Sequence, residues 1–206
     1  MNIRTAANED AGFVSRVIIE AEATGSEITS YEKMFGESRE ELIPAFKKHL
    51  AVSPGGHAVS LKNFLIAEEN GIPAGGLSAY VEGSNGDSSH LTTAFLMMAF
   101  SRDKVMKGFR FLKEFHEVSI PKTNGTLQID CVATMAEFRG KGVLKRLLDH
   151  AFEYGRSQGA SIAEVQVWKR NTNAIAVYEK CGFAISKEYL LAADPTNGKI
   201  LMTRNI

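Results

Sequence analysis

The sequence predicts an α+β fold: a mixed, mostly antiparallel central sheet flanked by helices. Three observations predict it. Asn70-Gly71 stands between two short apolar runs, which is a strong hairpin signal. The C-terminal third holds only one or two strand–helix–strand crossovers, too few for a doubly wound sheet. No linker rich in Pro, Gly or Ser divides the 206 residues, so 1–206 reads as a single domain.

The elements follow in order. Residues 2–5 read as a strand, and Asn8-Glu9-Asp10 supplies capping chemistry for a helix carrying Phe13, Val14, Val17, Ile18 and Ala21, with Gly25 as its stop. Leu42, Ile43, Phe46 and Leu50 lie on one face of a second helix over 38–50, and Pro54-Gly55-Gly56 breaks the chain. Strands over 63–68 and 75–81 form the hairpin. A polar break at 83–89 then opens an insert, 84–121, whose stretch 90–117 reads as two helices rich in Met and Phe. The spacing next predicts a strand over 126–134, a helix over 140–158, a strand over 165–168 and a helix over 173–180 closed by Gly182 in the left-handed position. Residues 183–191 and 200–203 complete an antiparallel pair, joined by a loop around Asp194-Pro195-Thr196-Asn197-Gly198.

Composition narrows the function. Lys plus Arg and Asp plus Glu both total 24, so the basic excess of a protein living on nucleic acid or anionic lipid is missing. Cys131 and Cys181 sit in apolar stretches and read as buried core residues. Five scattered histidines suggest no metal site. Residues 1–5 carry no apolar signal stretch and no run approaches the ~18 residues of a membrane span. The simplest expectation is a cytoplasmic protein without nucleic acid or membrane partners.

The chemistry concentrates after the 126–134 strand. Gly140 and Gly142 open a helix, whose free N–H groups carry partial positive charge suited to a pyrophosphate. Arg139, Lys141, Lys145 and Arg146 add charge at the same end. A Walker loop is excluded because Val143 follows Gly142 where Lys should stand. A dinucleotide fold is excluded because Lys145 occupies the place of its third small residue.

The segment Arg139 to Leu144 resembles the Gln/Arg-x-x-Gly-x-Gly/Ala motif of the GNAT superfamily of acetyl-coenzyme A-dependent N-acetyltransferases. Arg139 matches the first position and Gly142 the fourth, while Leu144 departs from the small residue usual at the sixth. Asn171, Ala174, Tyr178, Gly182 and Phe183 match a second element of that family at the interval of a helix plus a strand. The resemblance is strong over 126–191 and only a pattern of elements over 1–82. It implies a three-layer fold with the insert placed before the cofactor-binding strand, and acetyl-CoA as co-substrate. It further implies that Val132, Ala133, Thr134, Arg139, Gly140, Lys141, Gly142, Val143, Leu144 and Asn171 hold the cofactor, with an oxyanion donor among the N–H groups of 132–134.

Acetyl transfer to a primary amine needs a neutral nucleophile and a proton for the departing thiolate. The resemblance makes Tyr178 the acid. Strand alternation puts Gln128, Asp130, Val132 and Thr134 on one face. The resemblance implies a base at the place of 128 or 130, where family members that use one carry Glu or His. Gln128 cannot accept a proton, which leaves Asp130 as the candidate, directly or through water, with a structural carboxylate as the alternative. Trp168 and Lys169 read as framework. The insert is expected to wall the site of a small-molecule or peptide amine, to be separable from the cofactor site, and to offer a homodimer contact as its second role. Two other classes stay open: an acyl-CoA-binding regulatory module of the same fold, and an interaction protein docking through Phe95, Met97, Met98 and Phe109.

Overall fold

The computed structural model describes residues 1–23, 29–52, 56–113 and 116–206, with backbone alone for 93, 94, 97, 112 and 116. Seven strands form one sheet: β1 (Asn2–Thr5), β2 (Phe64–Glu69), β3 (Ile72–Val81), β4 (Leu127–Thr134), β5 (Ile162–Trp168), β6 (Ala184–Leu191) and β7 (Asp194–Asn205). Their order is β1-β2-β3-β4-β5-β7-β6, with β4–β5 the parallel pair and the others antiparallel. The helices are α1 (Ala11–Ala21), α2 (Ser30–Phe35), α3 (Arg39–Leu50), α4 (Leu91–Ala99), α5 (Arg102–Lys113), α6 (Val143–Ser157) and α7 (Thr172–Lys180). The mixed sheet between helical layers agrees with the α+β expectation.

Two apolar clusters hold the layers. On one face α6 lays Val143, Leu147, Leu148, Ala151 and Phe152 against Leu77, Leu127, Ile129 and Met202 of the sheet. On the other, Val14, Val17 and Ile18 of α1 pack with Leu42, Phe46 and Leu50 of α3 and with Phe64 and Ile66 of β2. Gly75 permits the close approach of α6 to the sheet. A Cβ there would stand 3.0 Å from Val143 Cγ1 and 2.8 Å from the Ala133 carbonyl. Asn70 and Gly71 both take positive φ, 55° and 78°, as a tight hairpin turn between β2 and β3 requires.

Several boundaries differ from the sequence reading. α2 was not expected; Thr29 accepts from the Glu32 N–H at 3.2 Å while Glu32 accepts from the Thr29 N–H at 2.6 Å, and this reciprocal cap sustains a six-residue helix. The segment 194–198 is strand rather than loop, because β7 begins at Asp194. Cys131 and Cys181 are both half-buried at the margins of the clusters rather than inside them. The stop at Gly25 and the break at Pro54-Gly55 fall outside the described residues.

The insert is not a separable appendage. Phe95, Phe100 and Val105 belong to the α1–α3 cluster. Its entry is tied by polar contacts as well. Glu82 accepts from the Ser89 N–H at 3.0 Å, Asn63 donates to Asp87 at 3.0 Å, and Lys62 pairs with Asp87 at 3.0 Å. His57, 3% exposed, lies 4.8 Å from the Phe95 ring, and burial pushes its imidazole down to about 4. Met98 and Phe109 are exposed, whereas Phe95 is buried; the side chains of Met97 and Leu112, and Phe115, lie outside the described residues.

Candidate active site

The site begins with a bulge in β4. Gly76 is opposite Ala133 and Ser78 opposite Asp130, so Leu77 alone spans Cys131 and Val132. Cys131 takes the left-handed φ of 49° that this extra residue imposes. The alternation expected from the sequence therefore fails at this point. Val132 packs with Leu127 and Ile129 on the α6 side, while Cys131 and Ala133 turn to the α1 side. Val132 does not share a face with Gln128 and Asp130.

β4 also leaves β5. Their parallel pairing stops at Ile129–Val165, and beyond it the two strands part. Two cavities flank this parting. The first, about 1070 Å³, is lined by Val132, Ala133, Thr134, Arg139 and Leu144, with Phe13, Arg16 and Asn173 among residues that the sequence reading did not assign to the site. The second, about 630 Å³, is lined by Glu22, Tyr31, Asp130, Trp168, Asn171 and Lys199, with Leu96, Phe111 and Val118 from the insert and its exit. Val132, Ala174 and Tyr178 line both.

At the edge of the first cavity, Gly140 and Gly142 both adopt φ of 76°, and nothing lies within 4 Å of a Cβ built on either. Among the described residues, no acceptor is found for the N–H groups of Gly140, Gly142, Val143, Leu144 and Lys145. Unpaired amides converging at a helix N-terminus suit an anion with several oxygens. The charges near them are partly engaged. Lys141 reaches Glu69 at 3.4 Å, Lys145 pairs with Asp149 at 2.8 Å, and Arg139 donates to the Thr134 carbonyl at 3.4 Å. Leu144 is half-buried, its side chain packed against the α6 cluster and forming cavity wall.

Asn171 caps α7, its side-chain oxygen accepting from the Ala174 N–H at 3.2 Å, and it lines the second cavity rather than the first. Tyr178 is 5% exposed, its ring 5.6 Å from Phe183 in an edge-on contact, and burial pushes its phenol well above the ordinary range. Among the described residues its hydroxyl has no hydrogen-bond partner. Asp130 is held firmly: Lys122 donates to its two oxygens at 2.8 and 2.9 Å, and the Tyr80 hydroxyl donates at 3.1 Å. The Trp168 ring forms part of the second cavity, with the Lys199 ammonium 5.2 Å from its centroid. Among the described residues no His, Cys, Asp or Glu group is arranged to hold a metal ion, and no helix is long and apolar enough to cross a membrane.

The comparisons with known proteins bear on this arrangement. A family model described as the acetyltransferase (GNAT) family matches residues 29–183. The chain is 34% identical over 73 residues to a streptothricin acetyltransferase of Streptomyces lavendulae, a match spanning 35% of this chain and 39% of that protein's length. An N-acetyltransferase of Staphylococcus aureus Mu50 superposes with a TM-score of 0.71 at 17% identity, over 98% of this chain and 100% of that one. A ribosomal-protein-alanine N-acetyltransferase of Brucella melitensis does so at 0.54 and 16%, over 100% of each chain. A Salmonella typhimurium acetyltransferase solved with its cofactor acetyl-CoA superposes at 0.52 and 16%, over 100% of this chain and 93% of that one. At these identities the likeness is one of fold.

Proposed function

The chain belongs to the acetyltransferase (GNAT) family, and from that premise we propose that it moves an acetyl group directly from acetyl-CoA to a primary amine. The observation that carries this reading is the meeting of two cavities at Val132, Ala174 and Tyr178. Donor and acceptor entering from opposite sides would touch only there. The whole chain, 1–206, is read as one acetyltransferase domain with 84–121 as its helical insert.

The residues at hand suit the donor. The unpaired N–H groups from Gly140 to Lys145 would take the pyrophosphate oxygens, with Gly140 and Gly142 leaving the approach open. Arg139 and Leu144 would flank the arm, and the backbone of Val132, Ala133 and Thr134, beyond the last β4–β5 pair, would align the thioester and supply the oxyanion donor. In the transfer a C–N bond forms to the amine, the C–S bond breaks, and the sulfur needs a proton. The Tyr178 hydroxyl is the donor proposed. A phenol held this high stays protonated at neutral pH, and the phenolate left once its proton passes to sulfur recovers a proton from solvent. Asp130 would accept the amine's proton through water on the Oδ1 lone pair that its bonds with Lys122 and Tyr80 leave free.

The amine acceptor is a small molecule or peptide that the second cavity admits. The exposed Met98, Met106 and Phe109 of the insert support a contact between two copies of the chain as its second role. The test is a panel of amines with acetyl-CoA, read by thiol release and by the mass of the product. Acetylated product from at least one amine is expected. Coenzyme A binding without turnover of any amine would place the chain instead among acyl-CoA-binding regulatory modules.

A further inference from the structure

We infer that the second cavity is built for an amino acid, a small acceptor carrying an ammonium and a carboxylate, with Glu22 drawing the ammonium and Lys199 the carboxylate. The inference rests on the reading of that cavity as the acceptor chamber.

The charges on its wall decide the class. Asp130 is already neutralised, since Lys122 holds both its oxygens and Tyr80 donates a third hydrogen bond. It offers no second ammonium site, which argues against a diamine. Glu22, just beyond the end of α1, lines the chamber beside Ser30. Lys199, opposite Trp168 in the β5–β7 ladder, lines it from the other direction, its ammonium over the Trp168 ring at 5.2 Å. Each feels the other's charge, yet among the described residues neither has an oppositely charged partner within 4.0 Å.

That state is costly for both. Both residues are half-buried, and burial pushes the Glu22 carboxyl up and the Lys199 ammonium down, as expected of charges partly withdrawn from water without a close partner. A ligand with one charge of each sign would relieve both at once, whereas a plain amine would leave Lys199 as it is. The remaining cations on the chamber wall, Lys33 and Arg170, are exposed and tilt the balance further toward an acceptor bearing a carboxylate. Glu22, Asp130 and Tyr178 line the same chamber, so a ligand whose ammonium is drawn by Glu22 would lie in the cavity that Tyr178 opens onto.

Trp168 is the chain's single tryptophan and part of the chamber wall, so its fluorescence reports the chamber directly. The probes are L-amino acids and straight-chain ω-amino acids, each beside its own carboxamide, titrated into protein saturated with coenzyme A. At least one amino acid is expected to shift the emission saturably, with its carboxamide at least tenfold weaker. Lys199→Met should erase that acid-over-amide preference, Lys199→Arg should restore it, and Glu22→Gln should weaken both probes at least tenfold. Circular dichroism establishes that each variant is folded. Equal binding of acid and amide, a preference that survives Lys199→Met, or silence of Trp168 to the whole panel overturns the inference. Acetylation of carboxamides or simple amines in the same preparations would show the proposed activity standing while this inference falls; failure to bind coenzyme A would instead strike the activity.

Discussion

Phe35 and Phe100 stack with ring centroids 4.0 Å apart and planes 16° from parallel, joining α2 to the first of the two residues between α4 and α5. Phe46 meets Phe100 edge-on at 5.6 Å, so the insert is pinned into the α1–α3 cluster by its own hinge. Phe100→Ala should therefore cost about 3–4 kcal/mol of unfolding free energy. Urea denaturation measures it. A loss below about 1 kcal/mol would mean that the insert rides on the core without contributing to it.

Gly142→Asp tests the anion cradle. A side chain at φ of 76° is strained by roughly 1–2 kcal/mol, but the space around it is open, so the fold should survive. A carboxylate set against phosphate oxygens should lower coenzyme A affinity at least a hundredfold, about 2.7 kcal/mol. Calorimetry on folded variant that returns the parental affinity would remove the phosphates from this loop.

For Tyr178 the discriminating change is Tyr178→Phe, which keeps the edge-on contact with Phe183 and deletes only the hydroxyl. If that hydroxyl serves the departing sulfur, kcat falls at least tenfold, about 1.4 kcal/mol, while coenzyme A affinity stays within twofold. An unchanged kcat would leave water as the proton source.

Acid should loosen the insert through His57. Its folded pKa of about 4 lies below the unfolded value near 6.5, so the unfolded chain binds the extra proton. The stability concerned is present above pH 6.5 and is lost as pH falls through 4. Lys62 works with burial to lower this pKa and Asp87 works against it. The loss should be on the order of 2 kcal/mol, and the difference between parent and His57→Gln in that window isolates it. Parallel pH profiles for the two proteins would exclude His57 as the cause.

Much of this arrangement is written locally. Asn70-Gly71 and Gly182 are punctuation whose left-handed backbone the residues themselves announce, and all three adopt it. The helix spacing of α3 and α6 is equally plain, because each buries one face on one partner layer. What escaped is non-local. The bulge at Cys131 exists only in the register with β3, and no alternation within β4 discloses it. Trp168 looked like framework because its neighbour Lys199 lies on another strand. Glu22 was invisible for the same reason: it shares a cavity with Lys199 and Asp130, which the sequence places far away. α2, at six residues, is too short for a periodic signal and is declared only by Thr29 and Glu32.

The parting of β4 from β5 after Ile129–Val165 leaves a seven-stranded sheet whose halves share three residue pairs. A donor lodged in that gap would act as a short extra strand and join them. Ligand occupancy and the unfolding equilibrium are then linked, with a gain of about 2.7 kcal/mol when free ligand stands at a hundred times its dissociation constant. Amide hydrogens of 130–134 that exchange rapidly in the free protein would become slow in the loaded one, and protection would spread to the β5 amides across the gap. The protein's mechanical coherence would rise and fall as the proposed donor binds and leaves.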